Sequence, residues 1–140
     1  MTWYKVDDKA WSHPKFIRLS SLSFGVWARI GSYCSDQLTD GFVETETVHT
    51  ICPESRAVVE RAIAELVRAD LWEPCDRGHR YHDWADHQPT RAEVEAARAA
   101  ARERQRRARE RRMAERAEAS SDTQSASVVT PIATRDRRRE

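Results

Sequence analysis

The clearest pattern in the chain is an apolar stripe at helical spacing: Val58, Val59, Ala62, Ile63, Leu66 and Val67, with charged residues between them. It predicts an amphipathic helix over residues 53–70. Pro53 would sit in its first turn, where a missing N–H has no partner to lose. Residues 71–75 then read as a short strand, 76–79 as a turn and 80–84 as the returning strand. A second stripe, Leu22, Val26, Trp27, Ile30, Cys34 and Leu38, predicts an earlier helix capped by Ser20 or Ser21 and ending near Asp36. Gly25 and Gly31 inside it each cost about 1 kcal/mol against alanine, a cost that a closely packed neighbouring element would explain.

Between these helices, Asp40-Gly41 marks a turn, Phe42 and Val43 a short strand, and residues 44–51 a short helix with Val48 and Ile51 facing inward. Cys52-Pro53-Glu54 is the break before the long helix. Upstream, the β-formers of residues 3–6 predict a strand at a sheet edge. His13-Pro14 marks a boundary, and residues 14–19 a short helix. Helix, short strand, helix, turn, helix, hairpin is the order of a winged helix-turn-helix. The expected fold is therefore mainly α with a small β-hairpin, over residues 1–88.

Beyond Pro89 the pattern changes. Thr90-Arg91-Ala92-Glu93 is a capping box, in which Thr and Glu each satisfy an orphan N–H. Residues 89–119 are almost wholly Ala, Arg and Glu, so a long helix is predicted. Val94 and Met113 are its only large apolar side chains, which excludes a leucine-seamed coiled coil. Residues 120–140 are Ser/Thr-rich without periodicity, and disorder is expected there.

Charge sharpens this division. The net charge of +1 hides an asymmetry: residues 1–90 carry 10 Lys/Arg against 14 Asp/Glu, and residues 91–140 carry 14 Arg against 9 Asp/Glu. Three cysteines without C-x-x-C spacing argue against a disulfide framework and for a reducing, cytoplasmic setting. The first residues carry acids and no apolar run, unlike a signal or transit peptide, and no segment approaches the ~20 apolar residues of a membrane span.

Several groups are candidates for chemistry. In a winged helix-turn-helix the third helix reads the major groove, and here its outward residues are Arg56, Glu60, Arg61, Glu65 and Arg68. Arg56 has Glu60, and Arg61 has Glu65, four residues on, which lowers their potential for phosphate. A solvated, ion-paired face is the competing reading. At the hairpin tip Arg77, His79 and Arg80 cluster around Gly78, where a wing touches backbone. The strongest electrostatic signal is residues 102–112, with Arg102, Arg104, Arg106, Arg107, Arg109, Arg111 and Arg112 against two Glu, spread around all sides of a helix. A charged helix held by pairs such as Glu103 with Arg107 competes with it. Cys75, His79, His82 and His87 lack the paired spacing of structural zinc, so no metal or cofactor is expected. No glycine-rich phosphate loop or H-E-x-x-H occurs, and no enzyme activity is expected. Trp27, Trp72 and Trp84 suit core positions.

A resemblance adds to this. Trp3-Tyr4-Lys5-Val6-Asp7-Asp8, His13-Pro14-Lys15, Gly25-Val26-Trp27, Leu38-Thr39-Asp40-Gly41-Phe42-Val43, Ala69-Asp70-Leu71-Trp72-Glu73 and His82-Asp83-Trp84 with Gln88-Pro89 stand in this order. In these motifs the chain, over about residues 3–112, resembles small helix-turn-helix or replication-initiation-like proteins of actinobacteria and their phages. Those are similar to the N-terminal winged helix of phage replisome organisers and DnaD-type primosome proteins. The resemblance implies nucleic-acid binding during replication initiation without catalysis. Duplex or single-stranded DNA is the expected partner. The alternative is an interaction module that docks a replication or regulatory protein, or a second copy of itself.

Overall fold

The computed structural model describes residues 3–127. Contacts divide the chain into two units, Met1–Ala96 and Ala97–Glu140. The elements are α1 (Ser21–Gln37), β1 (Phe42–Glu44), α2 (Thr45–Ile51), α3 (Arg56–Arg68), β2 (Trp72–Cys75), β3 (Gly78–Tyr81), α4 (Trp84–His87) and α5 (Arg91–Ala126). The described chain is thus mainly helical, with one small antiparallel sheet in the order β1-β3-β2 and a long C-terminal helix.

The two apolar stripes meet in one core. α1 contributes Val26, Trp27, Ile30 and Cys34, and α3 contributes Val59, Ala62, Ile63 and Leu66. The sheet closes this core with Val43, Trp72 and Tyr81, and α2 adds Val48. Each fully buried aliphatic side chain here contributes roughly 1.5–3 kcal/mol. Ile51 is only half-buried at the end of α2. The Tyr81 hydroxyl donates to the carbonyl of Trp27, which ties β3 to α1. Burial raises the pKa of that phenol well above its ordinary value.

Several element boundaries differ from the sequence expectation. Pro53 lies outside α3, whose N-cap is Ser55 in extended conformation, with its carbonyl accepting from the amides of Val58 and Val59. The hairpin turn starts where expected but is two residues shorter. Cys75 pairs with Gly78, so Asp76 and Arg77 form the turn and Gly78 belongs to the strand. Gly78 also pairs with Glu44 of β1, and a Cβ there would stand 2.1 Å from the Val43 carbonyl oxygen. Glycine therefore serves a close strand approach at this position, not the turn. β3 consequently ends at Tyr81, and Trp84 opens the short helix α4.

Residues 3–6 form no strand. Tyr4 instead stacks on Trp84 (ring centroids 6.1 Å apart, 15° between planes) and tilts against Trp27. The ring covers Gly31, where a Cβ would lie 2.2 Å from Tyr4 Cζ. The backbone of Lys5 pairs with a side chain: its N–H donates to Gln88 Oε1 (3.1 Å) and its carbonyl accepts from Gln88 Nε2 (2.6 Å). Residues 14–19 are a series of turns, not a helix, with the amides of Phe16 and Ile17 both bonded to the His13 carbonyl.

The capping box at α5 forms as expected. The Thr90 N–H donates to Glu93 (2.7 Å), and the Glu93 N–H to the Thr90 hydroxyl (3.3 Å). The Arg91 N–H donates to Asp40 Oδ1 (2.6 Å), and Val94 is buried, so the compact unit reaches past residue 88. Helix α5 continues through residues 120–126, which were expected to be disordered. There the Ser120 and Thr123 hydroxyls bond carbonyls four residues back, which satisfies these polar groups within the helix. The rest of that expected tail, residues 128–140, lies outside the described residues.

Candidate nucleic-acid interface

Helix α3 buries Val59, Ala62, Ile63 and Leu66, which leaves Arg56, Glu60, Arg61 and Arg68 on its exposed side. These cations are not equivalent. The Arg56 guanidinium donates two hydrogen bonds to the Glu46 carboxylate (3.0 and 2.8 Å) and lies 3.9 Å from Glu60. That pairing raises the Arg56 pKa and lowers that of Glu46. Glu60 is also 2.8 Å from His49 Nε2. Arg56 is thus the most neutralised of the three.

The expected Arg61–Glu65 pair does not form. Glu65 Oε2 instead accepts from the Ser23 hydroxyl (2.7 Å), the Ser20 hydroxyl (3.0 Å) and the Ser20 N–H (3.2 Å). These bonds hold the carboxyl below its ordinary range, the Ser23 bond most strongly. An acid of α3 therefore completes the N-terminus of α1, where a carboxylate suits the helix dipole. The Ser20 hydroxyl also accepts from the Ser23 N–H, as a capping residue does. Arg61 and Arg68 are left with no ion-pair partner among the described residues. A shallow groove of about 430 Å³ beside Arg68 brings Lys15 and Arg18 next to it, with Glu65 and Asp70 also lining it. Lys15 and Arg18 were missed in the sequence because the turns of residues 14–19 carry no periodic signal. The larger cleft, about 500 Å³, mixes Lys5 and Lys15 with Asp70, Asp83 and Asp86 and so offers no basic surface.

The hairpin tip holds one arginine rather than a cluster. Arg77 sits in the turn at φ 64°, largely exposed, with its guanidinium 3.8 Å from Glu44. His79 turns into the sheet against Trp72 (5.7 Å), and burial lowers its pKa. Burial thus works against a charged ring at this position. Arg80 lies 5.7 Å over the Phe42 ring and donates to the Asp40 carbonyl (3.4 Å). The other metal-type residues do not converge. Cys75 is exposed at the end of β2, while His82 lies 2.6 Å from Glu73 and 2.9 Å from Asp83.

In the second unit the arginines separate into two classes. Glu103 pairs with Arg106 (2.8 Å) and Arg107 (2.7 Å), and Arg106 also pairs with Glu110. The Glu103–Arg107 pair is the one expected from the spacing. Arg102, Arg104, Arg109, Arg111 and Arg112 have no ion-pair partner among the described residues. Exposed pairs of this kind stabilise a helix little, so they remove charge without adding much rigidity.

No helix among the described residues is long and apolar enough to cross a membrane. Compared with protein-family models, curated proteins and solved structures, the chain matches none.

Proposed function

We propose that this chain is a non-enzymatic DNA-binding protein of the cytoplasm, built on a winged helix-turn-helix and acting in phage or chromosomal replication initiation. In this reading α2 and α3 are the helix-turn-helix, and β2 and β3 are the wing. α3 and the wing orient the protein through Arg61, Arg68 and Arg77, and α5 supplies most of the affinity. The observation that carries the reading is the set of five unpaired arginines within residues 102–112, because non-specific affinity for DNA scales with cations free to replace counterions. The motif resemblance supplies the replication context.

The test is fluorescence anisotropy with duplex and single-stranded DNA across salt, comparing the full chain with a chain ending at Ala96. Full-length protein should bind with affinity falling steeply with salt, and the slope should shrink on truncation. Absence of binding by the full chain at about 50 mM salt would remove the DNA reading.

A second reading has its own observation. Trp3 (74% exposed), Trp11 (82%) and Ile17 (64%) stand out on the N-terminal segment of the first unit. In a contiguous patch, such side chains would suit a protein partner or a second copy of this chain. A concentration-dependent mass in light scattering that falls on Trp11→Ser would support that reading.

A further inference from the structure

Within α5, Arg98, Arg102, Gln105, Arg109, Arg112 and Arg116 recur three or four residues apart, so a regular helix places them in a sector about 80° wide. No carboxylate of residues 98–116 falls in that sector, and all five of its arginines are exposed and lack ion-pair partners among the described residues. The acids of this stretch, Glu103, Glu110 and Glu115, lie on the other sides, where two of them neutralise Arg106 and Arg107. The stripe is about 27 Å long at 1.5 Å per residue.

The arrangement is the reverse of what helix stability alone favours. Arg98–Arg102, Arg109–Arg112 and Arg112–Arg116 are like-charge neighbours at helical contact spacing, which is destabilising unless an outside anion lies along them. Resting on the DNA-binding reading above, we infer that this single face of α5 is the docking surface for the phosphate backbone of duplex DNA, and that the rest of the arginine run is not. A stiff rod with charges in line matches a stiff polyanion, since neither partner loses bending freedom. Duplex DNA carries one charge per ~1.7 Å of axis, about twice the density of its single strands, and so releases more counterions per arginine than single-stranded DNA does.

The test uses two full-length variants with the same loss of charge. One is Arg102→Gln, Arg109→Gln, Arg112→Gln and Arg116→Gln; the other is Arg104→Gln, Arg106→Gln, Arg107→Gln and Arg111→Gln. Glutamine keeps helix propensity close to arginine, and circular dichroism checks that both variants keep their helicity. Salt titrations run on duplex DNA, single-stranded DNA, duplex RNA and anionic phospholipid vesicles. The stripe variant should lose about 3 units of the log–log salt slope on duplex DNA and more than about 100-fold in affinity near 0.1 M salt. The other variant should lose less than about 1 unit and under about 10-fold. Equal losses in the two variants, or a larger loss in the second, would overturn the single-face docking while leaving DNA binding intact. Stripe-dependent binding that is tighter to RNA or vesicles than to duplex DNA would overturn the choice of partner. A wild-type chain that binds no DNA at all would instead defeat the reading on which this rests.

Discussion

Two glycines in α1 should respond to the same substitution with opposite signs. Gly25 and Gly31 both lie in the helix interior, so alanine at either gains about 1 kcal/mol of helix propensity. At Gly25 nothing stands within 4 Å of the added methyl, and the gain should appear in full. At Gly31 the methyl would meet Tyr4 at 2.2, 2.4 and 2.6 Å, all on the ring and hydroxyl. The ring cannot turn aside cheaply, because Trp27 and Trp84 pack against it and Gln88 fixes the next residue's backbone. Displacing Tyr4 forfeits the covered part of this half-buried ring, within the roughly 1.5–3 kcal/mol of a fully buried side chain, together with ring contacts of about 0.5–1.5 kcal/mol. Against the helix gain, Gly31→Ala should destabilise by about 1–3 kcal/mol. In a domain of this size that lowers Tm by about 4–24 °C, while Gly25→Ala raises it by about 4–8 °C. Urea unfolding followed by tryptophan fluorescence measures both. The double variant Tyr4→Ala with Gly31→Ala should be more stable than Tyr4→Ala alone, because the obstruction is gone. A stabilised Gly31→Ala would refute the packing of the N-terminal segment over α1.

Two further outcomes follow from the same geometry. Glu65 has its folded pKa depressed below the ordinary 4.5 by bonds from Ser23 and Ser20, so its contribution is present above that value and is lost as pH falls through the lower folded value. Glu65→Gln should therefore cost about 1 kcal/mol at pH 7, the scale of a lost helix cap, and the gap to wild type in urea titrations should close below pH 4.5; a gap independent of pH would refute the capping role. Arg77 holds a left-handed φ of 64°, so Arg77→Gly should leave stability within about 0.5 kcal/mol or raise it, while the β-branched Arg77→Val should cost about 1 kcal/mol or more; equal Tm values for the two would contradict the turn.

The long-range order of the elements was legible because α1 and α3 each carry a periodic stripe whose burial is nearly as read. The capping box at Thr90 was legible for a similar reason: two short-range hydrogen bonds fix both residue types and their spacing. What escaped were features decided by contacts distant in sequence. The β-formers at residues 3–6 suggested a strand, yet Tyr4 packs among tryptophans and Lys5 pairs with a glutamine side chain. Gly78 suggested a turn, yet it sits in a strand because β1 approaches it too closely for any side chain. Glu65 stands at ideal spacing from Arg61 but faces α1, whose serines bind it more strongly than an exposed guanidinium would. The arginine run was legible as charge, but its division into paired and unpaired members depended on where the glutamates fall around the helix.

The Gln88 clamp carries an asymmetry of constraint. It grips only the main chain of Lys5, so the side chain at position 5 is free to vary as long as it is not proline, which has no N–H to give. Position 88 has no such freedom. It must supply one acceptor and one donor from a single planar group, and an ionised glutamate of the same shape offers acceptors alone. One side of this contact can therefore drift under mutation while the other is held, although the two residues are 83 apart in the chain and bond only to each other's polar atoms there.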